Sequence, residues 1–484
     1  MPELQLHELA GKNVLVTGWG ISGKALIQPL RDLGATITVT DGGAAALAEA
    51  AELGLHTAVP DDLAADGALD SFVLVVTSPG WRAESPVLAA AAKRGLPIWG
   101  DVEFSWHVDQ AQLYGPVRQW LVVTGTNGKT TTTSMVASIL EAADVSNAAC
   151  GNIGLPVLDA LRRTAPRAEV LAVELSSFQL HWAPSVHPAA GVVLNIAEDH
   201  LDWHGGMQPY VDAKARALSG DVGVVGLDDA VAASLAATSP AGRTVGFRLG
   251  TPVSGELGVL DGTLLDLAFA ESPGAELIGA DEISPPGPAG IMDALAAAAL
   301  TRSIGVTPDA VGAGLANHTV GPHRAALVRE LAGVGFVDDS KATNPHAARS
   351  SILAHPRVVW LAGGLLKGAS VDELVAEVAD RLVAAVLIGQ DATQIAEALA
   401  RHAPDVPVVT VPARDDAGVT EVNSADSIMR TAVRAAARSA SPGDTVLLAP
   451  AAASLDMFAS YGHRGAAFAA AAEELTAADL GPAS

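Results

Sequence analysis

At 484 residues the chain exceeds what one hydrophobic core organises, and about three domains of common size are expected. Its 49% hydrophobic and 17% charged residues exclude an intrinsically disordered chain, and the single cysteine, Cys150, excludes an intramolecular disulfide and fits a reducing compartment. A net charge of −25 argues against non-specific binding to nucleic acid or an anionic membrane, although local donors and a metal can still hold a small anion in a cleft. The opening MPELQLHELAGKN has no basic stretch leading into an apolar run, and no segment is uniformly apolar enough to span a bilayer. A cytoplasmic protein without nucleic-acid or membrane partners is therefore expected.

Short Val/Leu/Ile runs alternate with Ala-rich helical stretches nearly end to end, which predicts an α/β protein with parallel sheets covered by helices. A first block has candidate strands at 13–17, 36–40 and 72–76. Between its first two strands lies Gly18-Trp19-Gly20-Ile21-Ser22-Gly23, and Asp41 ends the second. In form this is a dinucleotide fingerprint, which by itself points to an NAD(P)-dependent oxidoreductase; the same turn can hold the diphosphate of a uridine diphosphate sugar. A second block has strands at 120–124, 170–174 and 191–196, then a Gly/Pro-interrupted stretch, 246–288, read as a short β-rich excursion. The third has strands at 334–337, 358–361, 385–388, 408–411 and 445–448.

The strongest motif is VVTGTNGKTTTTSM, where an apolar strand runs into Gly125-Thr126-Asn127-Gly128-Lys129-Thr130-Thr131 and a helix-compatible stretch follows. Glycines let backbone N–H groups close on phosphate oxygens, and the helix start adds positive potential. Lys129 can balance β/γ-phosphate charge and the Thr130 hydroxyl can reach a magnesium ion. Val123 stands where the general phosphate loop has its first glycine, so the loop is a shorter variant. ATP next to the Gly18 turn favours a nucleotide sugar over NAD there, because an oxidoreductase has no use for ATP and magnesium.

Companion residues follow other strands. Glu174 ends the strand VLAVE, a position suited to holding magnesium, and Ser176, just beyond it, is an expected substrate contact. His200, in NIAEDHLDWH, is a candidate metal supporter. Lys214 lies on a helical stretch, 209–217; a solvated surface charge is the ordinary expectation for such a lysine, but a deprotonated one can capture carbon dioxide and become a carbamate, a carboxylate on a long arm. In the third block Arg324 offers a fork for phosphate, and Lys341 and Lys367 offer point charges for carboxylate or phosphate.

Together GTNGKTTT, ELSSFQL, NIAEDHLDWH, AKAR, PHR, DDSKATNP and PAAASLDMF resemble the Mur ligase family in order and spacing along nearly the whole chain. DSKATN and the Ala-Ser-Leu-Asp stretch resemble its D-glutamate-adding branch. The resemblance implies three domains: a Rossmann-like one for a UDP-linked substrate (1–117), a central P-loop ATPase-like parallel sheet (118–321) and a Rossmann-like one for the amino acid (322–484). It implies an ATP-dependent ligase that joins D-glutamate to UDP-N-acetylmuramoyl-L-alanine in peptidoglycan precursor synthesis, acting as a monomer with two Mg2+ ions. A sister ligase adding another amino acid is the nearest alternative.

Residue by residue, the resemblance implies that Thr130 and Glu174 hold one magnesium, and that His200 and Lys214, as its carbamate, support a second. Asn152 matches a substrate-site asparagine, while Arg324 and Asp339 match contacts to nucleotide phosphate and ribose. Thr343, Lys367, Ser454 and Leu455 match the D-glutamate pocket, with Tyr461 where a phenylalanine sits. Gly290 and Asp293 replace asparagines that face adenine, where Asp293 can still accept from the adenine amino group; Leu365 replaces an aspartate, and Gly42 and Gly43 replace polar uracil contacts. Ser22, Asp41, Ser78 and Gly80 are the expected residues of the uridine pocket.

Overall fold

A computed structural model describes residues 4–270, 273–412 and 425–481. Three sheets are present among them, of five, nine and six strands. The first contains β1 (Asn13–Thr17), β2 (Thr36–Thr40), β3 (His56–Ala58), β4 (Phe72–Thr77) and β5 (Ile98–Gly100), all parallel, in the order β3-β2-β1-β4-β5. The order reverses between β1 and β4, so the glycine turn after β1 and the loop after β4 face one crevice, where open α/β sheets bind ligands.

The second sheet contains β6 (Gln119–Thr124), β7 (Asn147–Gly151), β8 (Val170–Glu174), β9 (Ala190–Val193), β10 (Val222–Gly226), β11 (Arg243–Phe247), β12 (Glu256–Leu260), β13 (Thr263–Asp266) and β14 (Ala275–Gly279). Its order is β14-β13-β12-β11-β10-β9-β6-β8-β7, and only the β12–β13 and β13–β14 pairs are antiparallel. The β-rich excursion expected within 246–288 is these two hairpin pairings. Central strands are buried on both faces, as the unbroken apolar runs of β6 and β8 require.

The third sheet contains β15 (Ala326–Leu331), β16 (Val334–Asp338), β17 (Val358–Gly363), β18 (Leu382–Ile388), β19 (Val408–Thr410) and β20 (Thr445–Leu448), ordered β15-β16-β20-β17-β18-β19. Only β15 is antiparallel to its neighbour. The last strand inserts between β16 and β17, which gathers the loops after all three at one end.

The third strand of the second block stops at Val193 and not at 196, because Leu194–Ile196 turns down to meet the phosphate loop: Leu194 N–H bonds the Thr124 carbonyl and Thr126 N–H bonds the Asn195 carbonyl. The helix expected over 209–217 runs Met207–Ala215 and tightens into a 3-10 turn, Arg216–Leu218. The chain forms two compact units, Met1–Glu282 with Met292–His318, and Ile283–Ile291 with Thr319–Ser484. The first two sheets share the first unit, and Ile283–Ile291 groups with the third sheet and not with the central one.

Candidate functional site

The phosphate loop is held by its neighbours independently of its lysine. Asn195 brackets Asn127, accepting from its N–H at 2.9 Å and donating to its carbonyl at 3.2 Å. The Thr126 hydroxyl exchanges hydrogen bonds with the Ala197 backbone and lies 2.9 Å from the Tyr210 hydroxyl. Gly128 sits at φ +84°, and a Cβ there would lie 2.2 Å from Asp293 Oδ1. Glycine is thus imposed by both conformation and contact. Lys129, first residue of the helix Lys129–Ala142, donates to the Gly125 and Thr126 carbonyls, both at 2.9 Å. Asp293 accepts from Thr132 Oγ1 at 3.0 Å. It therefore lies under the loop, a place that buries the carboxylate against Gly128.

Beside the loop, Thr130 Oγ1 donates to Glu174 Oε2 at 2.5 Å, and Asn152 Nδ2 donates to Glu174 Oε1 at 2.9 Å. Three residues expected from separate motifs are thereby joined at the carboxyl ends of β6, β7 and β8. Ser176, expected near substrate, uses its side chain in a capping box with Gln179 at the start of the helix Ser177–His181.

Lys214 is only 2% exposed, and Nζ donates to the Gly125 carbonyl at 2.7 Å. Burial first, then the Lys129 charge, drives its pKa well below the ordinary lysine value, against the pull of Asp199 and Glu174. Such an amine is neutral more readily than a surface lysine. His200 stands at φ +53°, 3.4 Å from the Asp199 carboxylate, its ring 4.7 Å from Phe178. Around it gather His181, Trp203, His204 and Tyr210. His204 bonds Ser177 Oγ at 2.9 Å, and burial, with His181, His200 and Lys214 nearby, lowers its pKa to about 4. This aromatic and imidazole wall was not read from the sequence; the only signal was the density of such residues between Phe178 and Tyr210.

Among the described residues no three or more His, Cys, Asp or Glu side chains gather as a ready metal cage. The donors are instead a hydroxyl and a carboxylate in contact, with an imidazole on the loop after β9 and, from the helix Met207–Ala215, a buried amine that bonds the phosphate loop. That suits a hard cation which keeps several of its waters, as magnesium does.

In the first sheet Asp41 ties the glycine turn together, accepting from Trp19 N–H and Gly43 N–H, both at 2.8 Å. Its oxygens hold backbone, which explains why Gly42 and Gly43 can follow it. Ser78 N–H bonds the Thr17 carbonyl, which sets the β4 loop beside that turn. Ser22 hydrogen-bonds Asp101, whose pKa burial raises. Thr40 Oγ1 and Ser78 Oγ are buried hydroxyls without a hydrogen-bond partner among the described residues, which fits a polar ligand at this crevice. Gly80 is exposed at its rim.

In the third sheet His323 Nδ1 lies 2.6 Å from Asp338 Oδ2, and Asp338 Oδ1 accepts from Ser340 N–H at 2.9 Å. Arg464, 1% exposed, donates to Ser340 Oγ (3.0 Å), the Ser340 carbonyl (2.9 Å) and the Ala452 carbonyl (3.0 Å). It braces the loops after β16 and β20, and no sequence signal marked it. Burial lowers its pKa to about 10. Burial raises Asp339 to about 6, with the Asp338 charge adding to the effect and Arg324 opposing it. Lys341 Nζ lies 4.1 Å from the Tyr461 ring centroid, a cation–π contact. Gly364, at φ +134°, allows the β17 end to approach the Ala453 carbonyl, which a Cβ would meet at 2.1 Å. Leu365 pairs with Ala453 at this point. Ser454 is buried, Thr343 is half-buried, and Lys367 and Leu455 are exposed on the same loops.

Comparison with known proteins gives the family. Residues 123–299 match the Mur ligase middle domain and residues 323–452 the Mur ligase glutamate ligase domain. A UDP-N-acetylmuramoylalanine–D-glutamate ligase of Rhodococcus jostii is 68% identical, with 98% of each chain covered. The chain belongs to the Mur ligase family. The similarly named protein of Mycolicibacterium smegmatis is 56% identical to this Mur ligase over 95% of this chain and 96% of its own. Among solved structures, a UDP-N-acetylmuramate–alanine ligase from Thermotoga maritima is 16% identical with a TM-score of 0.56, covering 96% of this chain and 99% of its own. A pseudomurein peptide ligase type C from Methanothermus fervidus gives 18% and 0.55, covering 96% and 100%. At these identities the two structures speak for the three-domain fold alone. No helix among the described residues is long and apolar enough to cross a membrane.

Proposed function

We propose that this Mur ligase adds D-glutamate to UDP-N-acetylmuramoyl-L-alanine with ATP, forming an amide bond and releasing ADP and phosphate, a step of peptidoglycan precursor synthesis. The observation that carries this reading is the Thr130–Glu174–Asn152 chain beside Lys129 and the buried Lys214, in a protein 68% identical to a ligase of that name. Family membership removes the oxidoreductase reading of the Gly18 turn.

In the proposed reaction the carboxylate of the UDP-linked substrate attacks the γ-phosphorus of ATP, giving an acyl phosphate and ADP. The D-glutamate amine attacks the acyl carbon, loses a proton and expels phosphate. Lys129 turns from the loop carbonyls to the transferring phosphoryl group, where its charge offsets the negative charge that accumulates. Thr130 and Glu174 would hold one magnesium ion, and His200 with carbamylated Lys214 would support a second; bound there, they supply charge neutralisation to the phosphoryl oxygens. Asn152 orients Glu174.

For the substrates, the assignment gives Ser22, Asp41, Ser78 and Gly80 to the uridine diphosphate end. Arg324, Asp339 and the loop Gly125 to Thr131 take the nucleotide. Lys341, Thr343, Lys367, Ser454, Leu455 and Tyr461 take D-glutamate. Domains are placed at 1–117, 118–321 and 322–484, with divisions that fall between Gln110 and Gln119 and between Ala316 and Ala326, where elements end and begin. The protein is proposed to work as a cytoplasmic monomer.

The test is phosphate release from ATP and magnesium with UDP-N-acetylmuramoyl-L-alanine, comparing D-glutamate, L-glutamate and no amino acid. Release with D-glutamate only, and a UDP-linked dipeptide by mass, is expected. Release only with another precursor and amino acid moves the protein to a sister ligase.

A further inference from the structure

We propose that Arg82 is a positioning residue that clamps the His200 loop to the substrate loop after β4, so that binding of the nucleotide-sugar substrate orders the segment 199–206. The clamp rests on the role given above to His200 and goes beyond it, because it couples two loops that belong to different sheets.

Arg82 Nη1 donates to the Asp202 carbonyl at 2.9 Å and Nη2 to Asp202 Oδ2 at 2.7 Å. One planar fork therefore grips both backbone and side chain of a residue two positions from His200, a grip that the single ammonium of lysine does not reproduce. One further contact ties the β4 loop to the residue that ends the helix Ser177–His181, and another joins it to the His200 segment itself. Trp182 Nε1 donates to the Trp81 carbonyl at 3.3 Å, and Trp203 Nε1 lies 3.5 Å from the Gly80 carbonyl. Gly80, Trp81, Arg82, Glu84 and Ser85 border a cavity of about 480 Å³, and Ser85 Oγ is a buried hydroxyl without a partner. On the other side Phe178 meets both His200 and Trp203, each at 4.7 Å between ring centroids.

His200 holds a left-handed backbone conformation, φ +53°, uncommon for a non-glycine residue, and the Arg82 grip two residues on helps to hold the turn that follows it. The Arg82 and Asp202 side chains are 49% and 77% exposed, so the charge pair is screened and adds little to global stability. Its effect is local: it fixes where the segment starts its turn.

The test compares the full chain with Arg82→Ala and Arg82→Lys by amide exchange and by steady-state kinetics. In the wild type, UDP-N-acetylmuramoyl-L-alanine added without ATP or magnesium is expected to slow exchange in 199–206. In Arg82→Ala that protection is expected to fall about fivefold while β8 exchanges as before, as loss of one exposed bidentate pair predicts. With the substrates saturating, kcat should fall about tenfold and the magnesium needed for half-activity should rise about fivefold, with KM for D-glutamate unchanged. Arg82→Lys should lie between. If Arg82→Ala does not fold, Asp202→Ala removes the carboxylate acceptor from the opposite side, leaves the backbone carbonyl, and is expected to change protection and kcat in the same direction by a smaller factor. Equal substrate protection in wild type and variant overturns the proposal, and so does faster exchange with unchanged kcat and magnesium dependence. A wild type that lacks D-glutamate-dependent turnover yet shows the protection difference refutes the assigned reaction and leaves the clamp standing.

Discussion

Lys214→Ala removes a side chain that is almost wholly enclosed and donates to the Gly125 carbonyl, with Nζ 4.8 Å from the Tyr210 ring centroid. No carboxylate forms an ion pair with it among the described residues, and an unpaired buried ammonium is costly. The amine is therefore poised to be neutral and nucleophilic toward carbon dioxide. Truncation should cost about 2 kcal/mol through the cavity left by the methylenes, partly offset because a costly buried amine goes with them. Activity should fall much further, by about 10²- to 10³-fold, or about 3 to 4 kcal/mol of transition-state stabilisation, if a carbamate there supports the phosphoryl-transfer site. The assay is phosphate release at fixed magnesium, with a thermal melt to confirm folding. Added formate or acetate should restore about tenfold of the loss by supplying a carboxylate to the space left behind. A folded variant that stays within about threefold of wild type, with no response to added carboxylate, refutes the carbamate role.

Lys129→Ala should lower turnover by at least about 10³-fold while moving the melting temperature by only a few degrees, because Asn195, Thr126 and Ala197 hold the loop without it; near-normal turnover in the phosphate-release assay overturns the loop assignment. Arg464→Met should destabilise by about 3 kcal/mol in urea unfolding, since it strands the buried Ser340 and Ala452 carbonyls, and a loss under about 1 kcal/mol would show the brace to be dispensable. Asp339→Asn should change the pH dependence of unfolding in a definite sense. The folded carboxyl, near 6, binds a proton more tightly than the unfolded one, near 3.8, so its contribution is full below pH 4 and is lost as pH rises through 6. Wild-type stability relative to the variant should decline across that window; denaturation midpoints at pH 4, 5 and 7 check it, and a difference independent of pH removes the assignment.

Much of the architecture was open to sequence reading because it is local. β1, β2, β8 and β20 lie where the apolar runs place them, and the loop from Gly125 to Thr130 follows its strand as glycine and helix-start chemistry require. Several strands escaped notice, β5, β11 and β15 among them, and some have weak local signals: β3 is three residues with little burial, β7 reads NAACG, and β10 reads VGVVG. Such segments become strands through their neighbours in the sheet, not through their own preferences. The family resemblance implies Thr130, Glu174 and Lys214 at the metal and Asn152 at the substrate, but not that Thr130, Glu174 and Asn152 form one hydrogen-bonded chain or that Lys214 is buried.

What only the tertiary structure decided are the pairings between distant segments. Arg82 and Asp202 are 120 positions apart and Arg464 and Ser340 are 124 apart, and neither pair carries a periodicity or motif. The amino-acid sequence determined which chemical groups stand at the strand ends, because strand, turn and helix start depend on near neighbours along the chain. Which of those groups touch, which are cut off from water and which amine is pushed toward neutrality depend on how the sheets bring their loops together, and that is a property of packing.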